Sequence, residues 1–334
     1  MSTTQESTTK LRIDALHPFW NRTLHGISSR EVMPWDLKST LLAGLGLNHL
    51  EVLRYLKTER PSFEAFEAWI VALHKNEFAG FAESERERLR HALAGNAIGS
   101  PIGALNTVEG LSEAELAQWD EQGYVIVRQA VSAEDAEAAE RAIYEHLGMS
   151  RDDPESWYSQ TLGHTIWVPL LRHPALVVTR FAPRLVKAFT QLWGREDLWA
   201  TVDQAGLNPP ERPGWLFPGP KLHWDCTLAR PHHLEIQGIL YLAETEEAQG
   251  AFCCVPGFHK GLSTWLESLP KGVDPRAEAL RTLTAKPIAA GRGDLVLWHQ
   301  SLPHGSSPNR ASRPRVVQYI SMRPTRWDYN PEWI

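Results

Sequence analysis

The stretch Lys221-Leu-His-Trp-Asp225 decides the interpretation of this sequence. We predict that it lies on a β-strand, 221–226, where alternate side chains share a face. Lys221, His223 and Asp225 would then point to the same side, and one imidazole and one carboxylate would bind a single metal ion. An isolated His-x-Asp arises easily by chance, so the stretch gains meaning only from what accompanies it.

The second stretch is Leu302-Pro-His-Gly-Ser306, which supplies His304. With His223 and Asp225 it completes a set of two histidines and one carboxylate. This set is typical of non-haem iron(II) centres and leaves coordination positions open, although zinc accepts the same ligands. His299 lies nearby and is the alternative for the second histidine ligand.

Arg315 follows His304 by 11 residues and begins a predicted strand, 315–322. A buried arginine is costly unless it is paired, so an arginine that projects into a barrel implies an anionic partner. Its planar guanidinium suits the bidentate binding of a carboxylate, and the Ser306 hydroxyl could bind the same group. The alternative is that Arg315 is an exposed residue at a sheet edge.

The C-terminal half of the chain consists of short predicted strands separated by Gly/Pro turns, which is typical of a sandwich, jelly roll or barrel. Besides 221–226 and 315–322, the predicted strands are 234–243, 251–255, 286–289 and 294–299. No G-x-G-x-x-G after a strand, P-loop or G-x-S-x-G elbow occurs, so the sequence offers no support for a nucleotide-binding protein or a serine hydrolase.

The N-terminal part has a different character. Residues 1–10 are polar and predicted to be disordered, and residues 11–105 form a predicted all-helical region in which Ser62 caps one helix. A Gly-rich linker, 95–103, separates this region from a second domain, 106–334. That domain begins with a capping box of Ser112 and Glu115, and its first helix should end at Gly123. Ser132 should cap the following helix.

The composition bounds the function. The formal net charge of −6 and the pI near 6.2 argue against a nucleic-acid partner. The three cysteines fit neither a disulfide framework nor a zinc ribbon. We find no secretory signal and no apolar stretch long enough to span a membrane, and therefore predict a cytoplasmic protein.

From about Leu111 to Trp327 the chain resembles the phytanoyl-CoA dioxygenase (PhyH) family of 2-oxoglutarate oxygenases. The matching pieces are LSEAELAQWDEQGYVIVRQAVS, KLHWD, VPGFHKG, GDLVLWH and LPHGSSPNRASRPR. The resemblance implies an α+β fold with a double-stranded β-helix core and flanking helices. It also implies iron(II) ligation by His223, Asp225 and His304. Arg315 would hold the distal carboxylate of 2-oxoglutarate, and no further catalytic residue is expected beyond the metal centre.

Two residues on the predicted strand 234–243 are candidates for the co-substrate site. Gln237 and Tyr241 share a face that should line the barrel. The position of Tyr241 in the family pattern implies that it lies near 2-oxoglutarate. Gln237 is either a second co-substrate contact or a structural hydrogen-bonding residue.

Aromatic and basic residues near the metal strand are candidates for the substrate pocket. Arg212 or Lys221 would meet an anionic group of the substrate. The alternative is that these segments are packed loops. The candidates are Trp157, Tyr158, His164, Trp167, Arg212, Lys221 and Trp224.

The implied reaction consumes O2 and 2-oxoglutarate, releases succinate and CO2, and hydroxylates an unactivated C–H bond of a small natural-product, amino-acid or acyl substrate. The carboxylate of Asp225 speaks against halogenation, since halogenases of this fold class lack it. The alternatives are a cupin-like metalloenzyme that acts without 2-oxoglutarate and a non-catalytic barrel that binds a ligand. The N-terminal helices could dock a partner, a second subunit or a carrier-tethered substrate.

Overall fold

The protein is represented by a computed structural model that describes residues 11–26, 33–75, 83–158 and 162–334. The predicted disordered tail, 1–10, lies outside these residues. The chain divides into two compact units. Unit 1 comprises the residues up to Pro101 together with Glu196–Val202 and Arg323–Trp327. Unit 2 comprises Ile102–Arg195, Asp203–Met322 and Asp328–Ile334.

The described elements are numbered in chain order. The helices are α1 (Leu16–His25), α2 (Trp35–Gly44), α3 (His49–Glu59), α4 (Phe63–Lys75), α5 (Glu83–Leu93), α6 (Glu113–Gln122), α7 (Ala133–Leu147), α8 (Pro174–Arg180), α9 (Pro183–Trp193), α10 (Phe258–Ser268) and α11 (Pro275–Thr282). The strands are β1 (Tyr124–Val127), β2 (Trp167–Val168), β3 (Leu198–Ala200), β4 (Ala205–Asn208), β5 (Ile236–Tyr241), β6 (Phe252–Cys254), β7 (Lys286–Pro287), β8 (Leu295–His299), β9 (His304–Ser306) and β10 (Arg315–Pro324).

Unit 1 contains the predicted helices, α1 to α5. Their apolar stripes form one core in which Leu41, Phe66 and Ile70 are almost fully buried. The predicted cap is present, because the Ser62 hydroxyl accepts a hydrogen bond from the main-chain N–H of Ala65. Among the described residues, no helix is long and apolar enough to cross a lipid bilayer. A docking role for these helices stays a prediction.

Unit 2 begins with the capping signals that the sequence predicted. Ser112 and Glu115 form a reciprocal capping box at the start of α6, which ends at Gly123. Gly123 has a φ of 73°, a left-handed conformation that suits glycine at a helix C-terminus. The Ser132 hydroxyl caps α7 by accepting a hydrogen bond from the Asp135 N–H. Local sequence signals therefore determine where both helices begin.

Unit 2 also contains two antiparallel sheets. The larger has the strand order β1-β8-β5-β10-β4-β2, and the smaller has the order β7-β6-β9. In the larger sheet Gln237 of β5 lies opposite Trp298 of β8. In the smaller sheet Cys254 of β6 lies opposite His304 of β9. The fold is thus a mixture of helices and antiparallel sheets, and its description as a double-stranded β-helix stays a prediction.

Alternation along β10 separates an inner face of the larger sheet from an outer face. Val317 joins an apolar cluster to which β5, β6 and β8 also contribute, whereas the neighbouring Gln318 points the other way. The Gln318 amide donates to the main-chain oxygen of Leu176 in α8 and accepts from the Thr179 hydroxyl. Helix α8 therefore covers the outer face of the larger sheet, and the inner face lines the space between the two sheets.

Five of the six predicted strands are present, with ends that shift by a few residues. The prediction of a strand at 221–226 was wrong. This segment is irregular apart from one antiparallel bridge between His223 and His304. One reason is that the Ser306 N–H donates to the Pro220 oxygen and not to that of Lys221, so the regular pairing does not continue beyond the bridge.

Replacing Gly293 with alanine should destabilise the protein strongly. Gly293 has a φ of 82°, and a Cβ there would lie 2.4 Å from the main-chain oxygen of Val131. Gly272 has a φ of 87°, but a Cβ there would meet no described atom within 4 Å. An alanine at Gly272 therefore carries only the cost of the left-handed backbone conformation. We expect Gly272→Ala to cost about 1 kcal/mol of unfolding free energy and Gly293→Ala clearly more, measured by urea unfolding. Equal costs would contradict the clash.

Candidate metal centre and co-substrate site

The three predicted metal ligands converge. His223 Nε2 lies 3.2 Å from Asp225 Oδ1, and His304 Nε2 lies 3.3 Å from Asp225 Oδ2. One potential ligand atom from each residue falls within 4.8 Å of the others. Among the described residues, no other group of three or more His, Cys, Asp or Glu side chains lies this close together. The side chains therefore have the spacing of a metal site.

The hydrogen bonds of the two imidazoles suit metal binding. His223 Nδ1 lies 2.7 Å from the main-chain oxygen of Lys221, and His304 Nδ1 lies 3.0 Å from that of Leu302. A carbonyl oxygen can only accept, so each Nδ1 carries the hydrogen. In the neutral ring Nε2 then presents its lone pair, as a ligand nitrogen must. The main chain thus selects the tautomer that binds a metal.

The charges of the three groups are coupled. Donation to Asp225 uses an Nε2–H, which the imidazolium form carries in addition to the Nδ1–H. Burial opposes ionisation of Asp225, but hydrogen bonds from His223 and His304 in that form outweigh it and hold the pKa of the Asp225 carboxyl far below its usual range. Burial lowers the pKa of His223, yet the hydrogen bond to Asp225 and its charge raise that pKa overall. A cation bound between these groups would replace the hydrogen bonds that now neutralise the carboxylate.

Gln237 orients the Asp225 carboxylate. Its Nε2 donates to Asp225 Oδ2 over 2.8 Å, and its Oε1 accepts from Trp298 Nε1 over 3.1 Å. The indole N–H can only donate, so it determines which end of the amide faces Asp225. Of the two roles predicted for Gln237, this geometry supports the structural hydrogen-bonding one.

Replacing Gln237 with leucine should weaken metal binding about 10–100-fold, the usual cost of losing a residue that orients a metal ligand. Titration of Mn²⁺ into the protein would measure this effect. Trp298→Phe removes only the hydrogen bond that fixes the amide, so its effect should be smaller. Unchanged Mn²⁺ affinity in Gln237→Leu would contradict the assigned role.

Gly305 explains how His223 reaches His304 without a regular strand. The main-chain N–H and oxygen of His223 pair with those of His304 over 2.8 and 2.9 Å. A Cβ on Gly305 would lie 2.7 Å from the Lys221 oxygen. The His-Gly pair of the sequence therefore has a physical reason: only a residue without a side chain lets the two ligand segments approach each other.

The predicted carboxylate anchor is fully buried. Arg315 has no exposed surface, and its Nη1 donates to the Ser306 hydroxyl over 2.9 Å. Its Nη2 donates to the Tyr319 hydroxyl over 3.4 Å, while its buried Nε has no hydrogen-bond partner within the described part of the chain. Among the described residues, no carboxylate forms an ion pair with it. A buried guanidinium with a free N–H fits a carboxylate ligand.

Strand geometry places this anchor beside the metal ligands. His304 and Ser306 alternate around Gly305 on β9, so their side chains share a face. Two residues along a strand span about 6.6 Å, a distance that a five-carbon dicarboxylate can bridge. The residues present therefore fit iron(II) held by His223, Asp225 and His304 and 2-oxoglutarate held at its far end by Arg315.

Two further residues adjoin the anchor. Tyr241 is buried, and its hydroxyl donates to the Ile288 oxygen and accepts from the Phe252 N–H. Burial raises the pKa of Tyr241, and the nearby charge of Arg315 moderates this shift. Tyr241 thus lies near Arg315 with its hydroxyl already engaged. Tyr319, which the sequence analysis missed, could have been found because it lies four residues after Arg315 on the same strand face.

Of the predicted substrate residues, Trp157 and Trp224 are buried in packed surroundings. Trp157 Nε1 donates to the Ser150 oxygen, and Trp224 Nε1 donates to the Ser301 oxygen. The Trp224 ring belongs to an apolar cluster with Leu228. For these two residues the structure favours the alternative of packed loops.

Tyr158, Arg212 and His164 lie around Trp215. Arg212 stacks 3.4 Å from the Tyr158 ring centroid and pairs with Glu155 over 2.8 Å. Its charge is therefore already compensated. The His164 ring lies 5.9 Å from that of Trp215, whose buried Nε1 has no hydrogen-bond partner among the residues that the structure describes.

Trp167 and Lys221, like His164, are candidates with exposed side chains. Trp167 is 39% exposed, and its ring lies 4.7 Å from that of Tyr319. Tyr319 in turn contacts Arg315. Trp167 is therefore linked through Tyr319 to the predicted co-substrate anchor. Lys221 is exposed and contributes its main-chain oxygen to His223.

His299, the alternative second ligand, does not join the three-residue group. Its Nδ1 accepts a hydrogen bond from the Ser301 N–H over 3.0 Å. Burial lowers the pKa of His299 to about 4, with a smaller contribution from the charges of His259 and His232. Its ring packs against those of Trp119 and His259.

Two histidines and a carboxylate beside a buried arginine define the class of iron- and 2-oxoglutarate-dependent oxygenases. The chain belongs to the phytanoyl-CoA dioxygenase (PhyH) family, whose model matches residues 119–317. The family uses iron(II), 2-oxoglutarate and O2, as the resemblance implied. The protein is therefore an enzyme of the 2-oxoglutarate-dependent oxygenase type.

Two relatives show the breadth of the similarity. A Dictyostelium discoideum protein named as a phytanoyl-CoA dioxygenase is 23% identical over 259 residues, which cover 62% of this chain and 74% of that protein. The Aspergillus versicolor protein "Ava biosynthesis cluster protein O" is 24% identical over 240 residues, which cover 63% of this chain and 77% of that protein.

Similar solved structures include HygX from Streptomyces hygroscopicus with nickel and 2-oxoglutarate bound. It has 16% identity and a TM-score of 0.47, covering 65% of this chain and 88% of HygX. The non-heme alpha ketoglutarate dependent carbocyclase SnoK from nogalamycin biosynthesis has 18% identity and a TM-score of 0.48. It covers 66% of this chain and 87% of SnoK.

Proposed function

We propose that this enzyme hydroxylates an unactivated C–H bond of a small organic substrate. The co-substrates are O2 and 2-oxoglutarate, and the products are the alcohol, succinate and CO2. The observation that carries the proposal is the buried Arg315 guanidinium, whose Nη1 donates to Ser306, two residues from His304 on β9, and whose Nε–H has no hydrogen-bond partner among the described residues. A metalloenzyme that acted on its substrate directly would have no use for such a carboxylate anchor.

Each residue has a separate role in this reaction. His223, Asp225 and His304 would hold iron(II), which with 2-oxoglutarate supplies the oxygen activation and leaves the protein to position the substrate. Arg315 and Ser306 would bind the distal carboxylate of 2-oxoglutarate, and Tyr319 would hold the guanidinium in place. Gln237 keeps the Asp225 carboxylate turned toward the two imidazoles.

Among the substrate classes considered, we propose a natural-product-like molecule. The Asp225 side chain is 51% exposed, so a substrate can approach the metal ligands from solvent. The name of the Aspergillus versicolor relative places that protein in a biosynthesis cluster, which supports the same class for this chain. Trp167 offers an exposed aromatic surface next to the co-substrate anchor.

Anaerobic titration of the purified protein with iron(II) and 2-oxoglutarate tests the proposal. We expect a visible charge-transfer band from the chelate of the metal with the keto acid. Glutarate, which lacks the keto oxygen, should bind without producing the band and is the matched control. Succinate release should then serve to screen natural-product, amino-acid and acyl substrates.

The same titration separates the proposal from its alternatives. Bound iron without any band would favour a cupin-like metalloenzyme that acts without 2-oxoglutarate. No binding of either iron or 2-oxoglutarate would favour a non-catalytic barrel. If a substrate is oxidised without gaining an oxygen atom, the cofactor assignment stands and the reaction is desaturation or ring closure, not hydroxylation.

A further inference from the structure

The segment that carries Asp225 needs support from elsewhere in unit 2. His223 is held by its two main-chain hydrogen bonds with His304, but the residues that follow it form no strand. Trp224 is anchored by its indole N–H and by packing against Phe258 and Trp265. The main chain on either side of Asp225 still has polar groups that require partners.

Arg276 supplies those partners. It lies in the first turn of α11, where the Asp274 carboxylate caps the helix by accepting from the Arg276 N–H. Its Nη1 donates to the main-chain oxygen of Trp224 over 2.9 Å, and its Nη2 donates to that of Cys226 over 2.8 Å. One planar guanidinium therefore spans the two residues that flank Asp225.

The C-terminal segment completes this support. Arg276 Nη2 also donates to the main-chain oxygen of Ile334 over 3.0 Å. The Ile334 N–H donates to the Thr227 hydroxyl over 3.2 Å, and Asn330 Nδ2 donates to the Arg230 oxygen over 2.7 Å. The segment thus lies along the residues that follow Asp225 and is joined to them by the same guanidinium.

We propose that Arg276 is a positioning residue for the metal ligand Asp225: its two-pronged hydrogen bonding to the Trp224 and Cys226 oxygens holds the Asp225 loop in the geometry that binds the metal. This inference rests on the proposed metal site. Asp225 is the half-exposed ligand of the three and projects from an irregular loop. Its placement therefore depends on such supports more than that of His304 on β9 does.

A purely electrostatic role for Arg276 predicts the opposite effect on metal affinity. A positive charge beside a cation site repels the cation, so removal of that charge would tighten metal binding. A positioning role predicts weaker binding when the guanidinium is lost. Lysine keeps the charge but cannot span two oxygens with a planar fork. Lysine and alanine variants therefore separate the two explanations.

The test is titration of Mn²⁺ into the anaerobic protein, with free Mn²⁺ followed by electron paramagnetic resonance. We expect Arg276→Ala to bind Mn²⁺ about tenfold more weakly, at the lower end of the effect for residues that support a ligand. Arg276→Lys should show most of the loss of Mn²⁺ affinity that Arg276→Ala shows. Arg281→Ala is the matched control, since Arg281 lies on the same helix and pairs only with Glu278 among the described residues.

The readout does not depend on turnover. At saturating metal, the affinity of Arg276→Ala for 2-oxoglutarate should equal that of the wild type, because Arg315 is untouched. Wild-type or tighter Mn²⁺ binding in Arg276→Ala would overturn the inference. If that variant does not fold, wild-type affinity in Arg276→Lys would overturn it equally. Absence of Mn²⁺ binding by the wild type would instead contradict the metal site itself.

Discussion

Replacing Arg315 with methionine is expected to weaken 2-oxoglutarate binding about 100-fold while leaving Mn²⁺ binding unchanged. Truncating one member of a buried, hydrogen-bonded charge pair costs 2–5 kcal/mol, and about 2.7 kcal/mol corresponds to 100-fold. Arg315 has no exposed surface, and its Nε has no hydrogen-bond partner among the described residues. Besides its hydrogen bonds to Ser306 and Tyr319, the variant would lose the ion pair with the co-substrate carboxylate.

The same substitution should not destabilise the ligand-free protein. A buried guanidinium without an anionic partner pays a desolvation cost, and methionine of similar length removes that cost. Thermal melting should therefore show an equal or higher midpoint for Arg315→Met. At about 100 times its Kd, 2-oxoglutarate stabilises a binding protein by about 2.7 kcal/mol. Arg315→Met should not gain this stabilisation at the same 2-oxoglutarate concentration.

Arg180 provides a matched control for this experiment. It is also buried, but it lies on α8, which covers the outer face of β10, and it donates to the Leu171 oxygen. Burial lowers the pKa of Arg180 to about 10, while Asp203 opposes this shift. Arg180→Met should alter stability without altering 2-oxoglutarate affinity. Retention of wild-type 2-oxoglutarate affinity by Arg315→Met would contradict the assigned anchor.

The ligand set could be predicted from the sequence because metal chemistry restricts it to few residue types. The strand at 221–226 could not, because alternation describes side-chain direction only where a ladder exists. His223 and Asp225 nevertheless converge, since both side chains turn toward His304 from an irregular loop. The predicted proximity of the two side chains is present, their role as metal ligands stays a prediction, and the predicted strand was wrong.

Helix ends were predictable to the residue where a cap determines them. Ser112, Gly123 and Ser132 act through hydrogen bonds to neighbours a few residues away. The support of Asp225 by Gln237 and Arg276 depends on residues 12 and 50 or more positions away. No local pattern encodes such contacts. For the same reason the sequence did not indicate that Arg323–Trp327 belongs to unit 1.

Replacing His304 with alanine should remove metal binding, whereas replacing His299 should not. Loss of a residue that merely supports a ligand costs up to about 100-fold in metal affinity, so loss of a ligand should exceed that. His304 is buried, with its Nε2 3.3 Å from Asp225 Oδ2. His299 uses Nδ1 to accept from the Ser301 N–H and stays neutral, because burial lowers its pKa to about 4.

The two variants form a matched pair, since each removes one imidazole from the same short segment. Mn²⁺ titration under anaerobic conditions should give no detectable site in His304→Ala and wild-type affinity in His299→Ala. Thermal melting without metal controls for misfolding. Because Asp225 accepts from both His223 and His304, His304→Ala should also leave the carboxylate with His223 and Gln237 as its side-chain partners among the described residues. Loss of the Mn²⁺ site in His299→Ala alone would transfer the second ligand role to His299.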